Sequence, residues 1–461
     1  MLWFVRNAML SMILGLLLAP LAVGHVHAQS ARPAAAVSPD DMAKFLAGMA
    51  PPSGSPLAEL ARDGEWRRHA DRFDGAWRSL EQRQLSRIRA WGRQTGVKAA
   101  PVMYYMFSGP DFLYADAFLP NATTYVMAGL EPVGRLPEQR LPVRGSIGSS
   151  LREIEVSLNT ILSVSFFRTI DMRSRLRSNR LDGTLPLLYV FLARAGKTIH
   201  EVSLIGLDLD GTVRTEAEGG DKSTAKGVRI VCSAAGDETR RTLYYFSTDI
   251  SNGGLARSGF LAFCEKLDIG DSLVKSASYL MHSGAFSKIR DFLLEYSQMI
   301  VQDDSGIPAA EFPTGLWELR PYGNYLGPIG LFPGRYQARL RSLFATPARR
   351  PLDFGIGYRW RNAESNLLLA VKRDAPEQRG GGTEVADCAT APERPGRVRA
   401  RPAADCQTAV TPPEPAVVEV APPVVIAPSA AAPRVTRVTR VAVRRRARES
   451  AGTPPAGPPN F

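Results

Sequence analysis

Asp208 and Asp210, in the stretch Ser-Leu-Ile-Gly-Leu-Asp-Leu-Asp-Gly-Thr-Val from Ser203 to Val213, are the residues whose type and spacing first suggest chemistry. Two carboxylates so closely spaced at the end of an apolar run are a group that could act on a phosphate ester. Asp303 and Asp304 follow another apolar run and could help hold a cation against the phosphate charge. The same letters also spell two strands joined by an Asp-Gly turn. A long stretch of apparent fold precedes the motif, and the residues after Thr212 are polar and Gly-rich, as a loop between strands would be. The turn is therefore the expected reading.

A second candidate is Phe-Ser-Gly-Pro-Asp-Phe, residues 107 to 112. Gly109 permits a close backbone approach, Pro110 suits the first position of a helix, and Asp111 sits at its opening. Ser108 on such a strand-to-helix turn is placed as an acyl-transfer nucleophile would be, but Met106 and Pro110 stand where a nucleophile elbow needs Gly. Glu131 ends the next expected strand. In a fold that binds a dinucleotide or a methyl donor, an acid there takes the ribose hydroxyls, although the Gly-x-Gly element is missing here. His282 is the only histidine positioned as a candidate base, at the end of an apolar run. His69 and His200 are the other two beyond the amino-terminal segment, and no His-Glu-x-x-His motif occurs, which disfavours a zinc site. No metal and no cofactor is expected.

These residues need a scaffold. Ser55-Pro56 predicts a helix cap, and Trp66, His69, Phe73, Trp77 and Leu80 follow at helical spacing as a packing face. From Val102 the pattern becomes strand, turn, helix, strand. A long amphipathic helix from Ser150 and a buried one from Thr184 come next, then strands around His200 to Leu209, Gly227 to Ala234 and Arg240 to Ser251, the last two joined as a hairpin. Gly259 to Leu267 and Phe286 to Ile300 return to helical spacing. The expected fold class is α/β: a Rossmann-like, mainly parallel sheet with flanking helices and an antiparallel hairpin, preceded by a helical segment. The expected divisions are a signal peptide over 1–28, a helical segment over 29–98, an α/β body over 99–375 and a disordered Pro/Ala/Arg-rich tail over 376–461.

The two ends set the expected compartment and partner. Arg6, an apolar run from Ala8 to Gly24 interrupted by Pro20, and Val26-His27-Ala28 form the pattern of a cleaved secretory signal, predicting a periplasmic or secreted protein. In that setting thiols oxidise, and the four cysteines suggest local disulfides, Cys232 with Cys264 and Cys388 with Cys406. The chain carries a formal charge of +12, and seven arginines with no acid lie between Arg434 and Arg448. Such a run binds polyanions by counterion release, and anionic cell-envelope material is the expected partner. No aromatic residues are interleaved with it, which argues against specific nucleic-acid binding.

Three stretches, Ser278 to Pro308, Leu316 to Ile329 and Ser108 to Pro132, give the chain a resemblance to a group of exported bacterial proteins with no assigned activity. The resemblance spans most of the body and stops at the tail; it implies a folded domain and supplies no catalytic roles. The five residues Asp208 to Thr212 resemble the first motif of the haloacid-dehalogenase-like enzymes. Two functions follow as expectations. The first is an exported protein binding a small polar or anionic ligand at its strand ends, through Gly109, Asp111, Glu131, Asp303 and Asp304. The alternative is an exported hydrolase of phosphate or acyl esters using Ser108, Asp208, Asp210 and His282.

Overall fold

The computed structural model describes residues 36–96, 98–139, 147–164, 181–215 and 224–373. The expected signal peptide, the tail, Cys388, Cys406 and the run from Arg434 to Arg448 lie outside the described residues. No described helix is long and apolar enough to cross a membrane.

The amino-terminal part is helical. Helix α1, Pro39–Leu46, opens on Ser38, whose hydroxyl accepts the Asp41 amide. Helix α2, Gly64–Leu80, runs through one π turn into α3, Ser86–Thr95. The expected cap at Ser55-Pro56 is corrected. Ser55 Oγ accepts the Leu57 amide in a turn, and the cap of α2 is Asp63, whose carboxylate takes the Glu65 amide. The stripe of Trp66, His69, Phe73 and Leu80 is buried, with His69 fixed between Leu46 O at 3.0 Å and Glu155 at 2.8 Å.

Among the described residues ten strands form one sheet: β1 Val102–Tyr105, β2 Thr124–Gly129, β3 Lys197–Leu207, β4 Val213–Thr215, β5 Ala225–Ala234, β6 Arg241–Ser247, β7 Gly270–Val274, β8 Ser297–Gln302, β9 Trp317–Gly323 and β10 Asn366–Lys372. Their order is β4-β3-β5-β6-β2-β1-β7-β8-β10-β9. The four central pairings, β6 with β2, β2 with β1, β1 with β7 and β7 with β8, are parallel. The five outer ones are antiparallel. The expectation of a mainly parallel sheet is thus corrected to a mixed sheet with a parallel centre. Its physical source is connection length: parallel neighbours need a crossover, whereas the short turn after Leu207 allows only reversal. At the other end β9 and β10 lie in the Gly-, Pro- and aromatic-rich region, which carries no clear alternation.

Helices cover both faces. On one side, with α1 to α3, lie α4 Phe112–Phe118, α5 Ile147–Val164 and α6 Leu185–Arg194; on the other lie α7 Phe260–Glu265, α8 Ser287–Tyr296 and α9 Ala338–Phe344. In β1, Met103 and Tyr105 enter the first core, while Val102 and Tyr104 enter the second. Burial on both faces explains why these central strands read as continuous apolar runs rather than alternating ones. It also explains a second correction: helical spacing continues to Ile300, yet α8 stops at Tyr296 and Ser297 begins β8. The expected Cys232–Cys264 disulfide is overturned as well. Both thiols are free and buried, one in each core with the sheet between them.

Candidate functional site

Strand β1 lies between β2 and β7, and the chain visits β2 before β7. At such a reversal of winding the loops leaving the strand ends part in opposite directions, and a crevice opens at the carboxyl edge. A cavity of about 600 Å³ occupies that place, lined by the residues following β1, β2, β6 and β7.

The loop after β1 is closed on its neighbour. The amides of Ser108 and Gly109 both donate to Ala128 O at 3.1 Å, and Ser108 Oγ donates to the same oxygen at 3.2 Å. Gly109 has φ +52°, a left-handed conformation in which a side chain would be strained. Asp111 then caps α4. Its Oδ1 accepts the Tyr114 amide at 3.3 Å; its Oδ2 accepts the Tyr105 hydroxyl at 2.8 Å and lies 3.0 Å from Lys275 Nζ. Lys275 Nζ also stands 4.4 Å from the centre of the Tyr114 ring. Burial raises the Asp111 carboxyl above its ordinary range, and the Lys275 charge and Tyr105 hydroxyl pull it back.

Glu131 follows β2. It is 3% exposed and lines the cavity, and its carboxylate makes no hydrogen bond or ion pair among the described residues. The carboxylate lies against Gly129, where an added Cβ would stand 2.6 Å from Glu131 Oε2 and 2.9 Å from both Gly109 Cα and Tyr245 Oη. Tyr245 donates its hydroxyl to the Glu131 carbonyl at 2.8 Å and so fixes the backbone at that point.

After β7 the chain makes an uncommon turn. Ser276, Ser278 and Tyr279 have φ of +53°, +51° and +54°, a region that costs an ordinary residue roughly 1 kcal/mol or more. Three groups hold it there. Asp303 Oδ2 accepts the Ser276 amide at 3.0 Å, Ser305 Oγ accepts the Ala277 amide at 2.8 Å, and the Tyr358 hydroxyl donates to Ser276 O at 2.9 Å. Ser276 Oγ is buried without a hydrogen-bond partner among the described residues, in a residue that lines the cavity. Asp249, after β6, stands at the rim, and Phe107, Phe286 and Phe332 supply apolar wall.

Of the residues expected from sequence, Ser108, Gly109, Asp111 and Glu131 meet in this cavity, and the others do not. Leu207 pairs with Val213, so Asp208 to Thr212 is the turn of an antiparallel hairpin. Asp208 pairs with Arg214, and Asp210 accepts the Thr212 amide at 2.9 Å and its hydroxyl at 2.8 Å. β3 lies four strand positions from β1, about 19 Å at the usual spacing. The ring of His282 packs 5.3 Å from that of Tyr279, and its Nε2 is buried without a partner. Burial, aided by Arg335, pushes its pKa down to about 4. His282 is not among the residues lining the cavity. The expected catalytic set is therefore not brought together: Asp208, Asp210 and His282 lie outside the cavity lining, Ser108 Oγ donates to Ala128 O, and the Ser108 and Gly109 amides are taken by the same oxygen. Asp303 and Asp304 are corrected too. Asp303 holds the turn after β7, while Asp304 accepts the Tyr279 hydroxyl at 2.6 Å and the Asn366 side-chain amide at 3.0 Å. Burial and the adjacent Asp304 push the Asp303 carboxyl up to about 6.

Sequence reasoning missed Lys275, Ser276 and Asp249. For the first two the available signal was the short apolar run Leu273-Val274 ending in Lys-Ser, too brief to stand out as a strand. Among the described residues no group of three or more His, Cys, Asp or Glu side chains is placed to hold a metal ion. Comparison with family models, curated proteins and solved structures found no match.

Proposed function

We propose that this chain is a ligand-binding α/β protein with a Rossmann-like centre, and that its strand-end cavity holds a glycoside or nucleoside by adjacent sugar hydroxyls. One observation carries the reading: the buried Glu131 carboxylate on the cavity wall has no partner among the described residues. A carboxylate so placed on a cavity wall has its oxygens open to accept two hydroxyl donors from a ligand. The spacing supports the same ligand. Glu131 follows Gly109 at the distance at which an acid after the second strand meets a ribose in nucleotide-binding folds, and the order β6-β2-β1-β7-β8 is the corresponding strand order. Phe107, Phe286 and Phe332 offer apolar wall for a base or aglycone.

The test is calorimetric titration of the full chain with ribonucleosides, their 2′-deoxy counterparts and aryl glycosides. Loss of a hydrogen bond to a charged acceptor, at roughly 1.5–3 kcal/mol, weakens binding by about tenfold or more. Glu131→Gln and removal of the 2′-hydroxyl should each have that effect, and their combination little more than either alone. No binding by any member of the set would overturn the reading.

We also propose that the protein acts after export, with Arg434 to Arg448 resting on anionic envelope material. The signal-like amino terminus and the acid-free arginine run support this. Deleting that run should abolish salt-sensitive retention on anionic vesicles; unchanged retention would remove the tail from the account.

A further inference from the structure

Granting that a sugar diol meets Glu131, the next question is what the ligand carries beyond it. In nucleotide-binding sheets of this winding, the substituent on the sugar's exocyclic carbon extends from the acid after the second strand toward the loop after the first. Phosphate is welcome there when backbone amides of the loop and helix start point at it. Here that loop is Ser108 to Tyr114, and of its amides all but that of Leu113 have acceptors within the loop or on β2. Ser108 and Gly109 donate to Ala128 O, Asp111 to Ser108 O, Phe112 to Pro110 O, and Tyr114 to the Asp111 carboxylate; Pro110 has no N–H. Lys275, the one cation among the residues lining the cavity, lies 3.0 Å from Asp111, and both are nearly fully buried. The acids lining the same cavity are Asp111, Glu131 and Asp249, so carboxylates outnumber cations. At the rim the Asp249 carboxylate accepts the Ser251 amide at 2.9 Å and its hydroxyl at 3.0 Å.

We infer that the cavity selects a ligand bearing a neutral or positively charged group, an amine or other onium centre, where a nucleotide would carry its phosphate, and that the Asp111–Lys275 pair enforces this choice. A phosphate entering this position meets at most the Leu113 amide, finds the Lys275 ammonium already paired with Asp111, and brings its negative charge into a cavity lined by three acids and one cation, where like charges repel more than in water. An ammonium meets the reverse. The inference rests on the diol reading and goes beyond it, because the diol alone does not distinguish a nucleoside from its phosphate.

The experiment uses the full chain and, for each of the four bases, three ribonucleosides that differ only at the 5′ carbon: hydroxyl, amine and phosphate. Affinity is measured by calorimetry at low and high salt. The expected order is amine tightest and phosphate weakest, with phosphate at least tenfold below hydroxyl and the gap narrowing as salt rises. Asp111→Asn releases the Lys275 charge and should narrow or reverse the gap. Should that variant fail to fold, Asp249→Asn at the exposed rim should narrow it less. A phosphate bound as tightly as the hydroxyl, or more tightly, overturns the inference and leaves the diol reading standing. If none of the three binds with any base, the diol reading falls and this inference with it.

Discussion

Asp271 shows how a single side chain ties the site's scaffold to pH. It is fully buried at the start of β7, and its Oδ2 accepts the Ala100 amide at 2.6 Å. Burial pushes its carboxyl from 3.8 up to about 6, with the amides of Ala100 and Met299 restraining the rise. A folded-state pKa above the unfolded value means that the native protein holds this proton more tightly. The associated stability is complete below about pH 4 and lost as pH rises through about 6. Asp303, also pushed up to about 6, acts in the same window and with the same sign. Asp271→Asn keeps an oxygen for Ala100 and removes the titration. Relative to wild type it should gain about 3 kcal/mol at neutral pH and little at pH 4, read from urea unfolding across that range. A constant difference between the two proteins from pH 4 to 7 would contradict the assignment. Glu131 differs in kind: the unmatched carboxylate there borders a cavity rather than a packed strand, so its effect belongs to binding.

Two elements shape the cavity, and each offers a test. The end of β2 brings Gly129, Gly109 and the Glu131 carboxylate so close that a methyl group at Gly129 would stand 2.6 Å from Glu131 Oε2. Gly129→Ala should therefore displace the carboxylate and weaken ligand binding about as much as Glu131→Gln, by roughly tenfold or more in titration. The turn after β7 holds three residues in left-handed conformations, its amides donating to Asp303 and Ser305 and the Ser276 carbonyl accepting from Tyr358. Ser305→Ala leaves the buried Ala277 amide unpaired and should cost about 1–3 kcal/mol in unfolding free energy, with faster proteolysis at that turn. An unchanged melting profile would mean that the strained turn does not depend on this hydroxyl.

At the scale of the whole molecule, the sheet separates two cores, and the cysteines report on that separation. Burial pushes the Cys232 thiol up to about 11 and raises Cys264 still further. Neither should react with a thiol reagent in the native state, and both should react after denaturation without reductant. Recovery of a 232–264 disulfide peptide would refute the two-sided packing. That packing also marks what was legible in the chain. Local chemistry was readable wherever a residue acts on its own neighbours: the Asp-Gly turn at Asp210, the helical stripe from Trp66 to Leu80, and the strand-turn-helix at Val102 to Phe118, whose loop leads into the cavity. Glu131 was placed at a strand end because it follows the strand-like run after the loop. Strand order was not readable. Whether β1 lies beside β7, and whether β10 inserts between β8 and β9, depends on crossovers and long-range hydrogen bonds that leave no local period. The composition of the site followed from that order. Lys275 reaches Asp111 because β7 packs against β1, while Asp208 and Asp303, equally suggestive as residues, were carried to a hairpin at the sheet's edge and to a layer beneath the cavity. Sequence by itself determined which groups were available and which elements would carry them; only the tertiary arrangement decided which met, because contact between distant segments is set by burying both faces of one sheet at once.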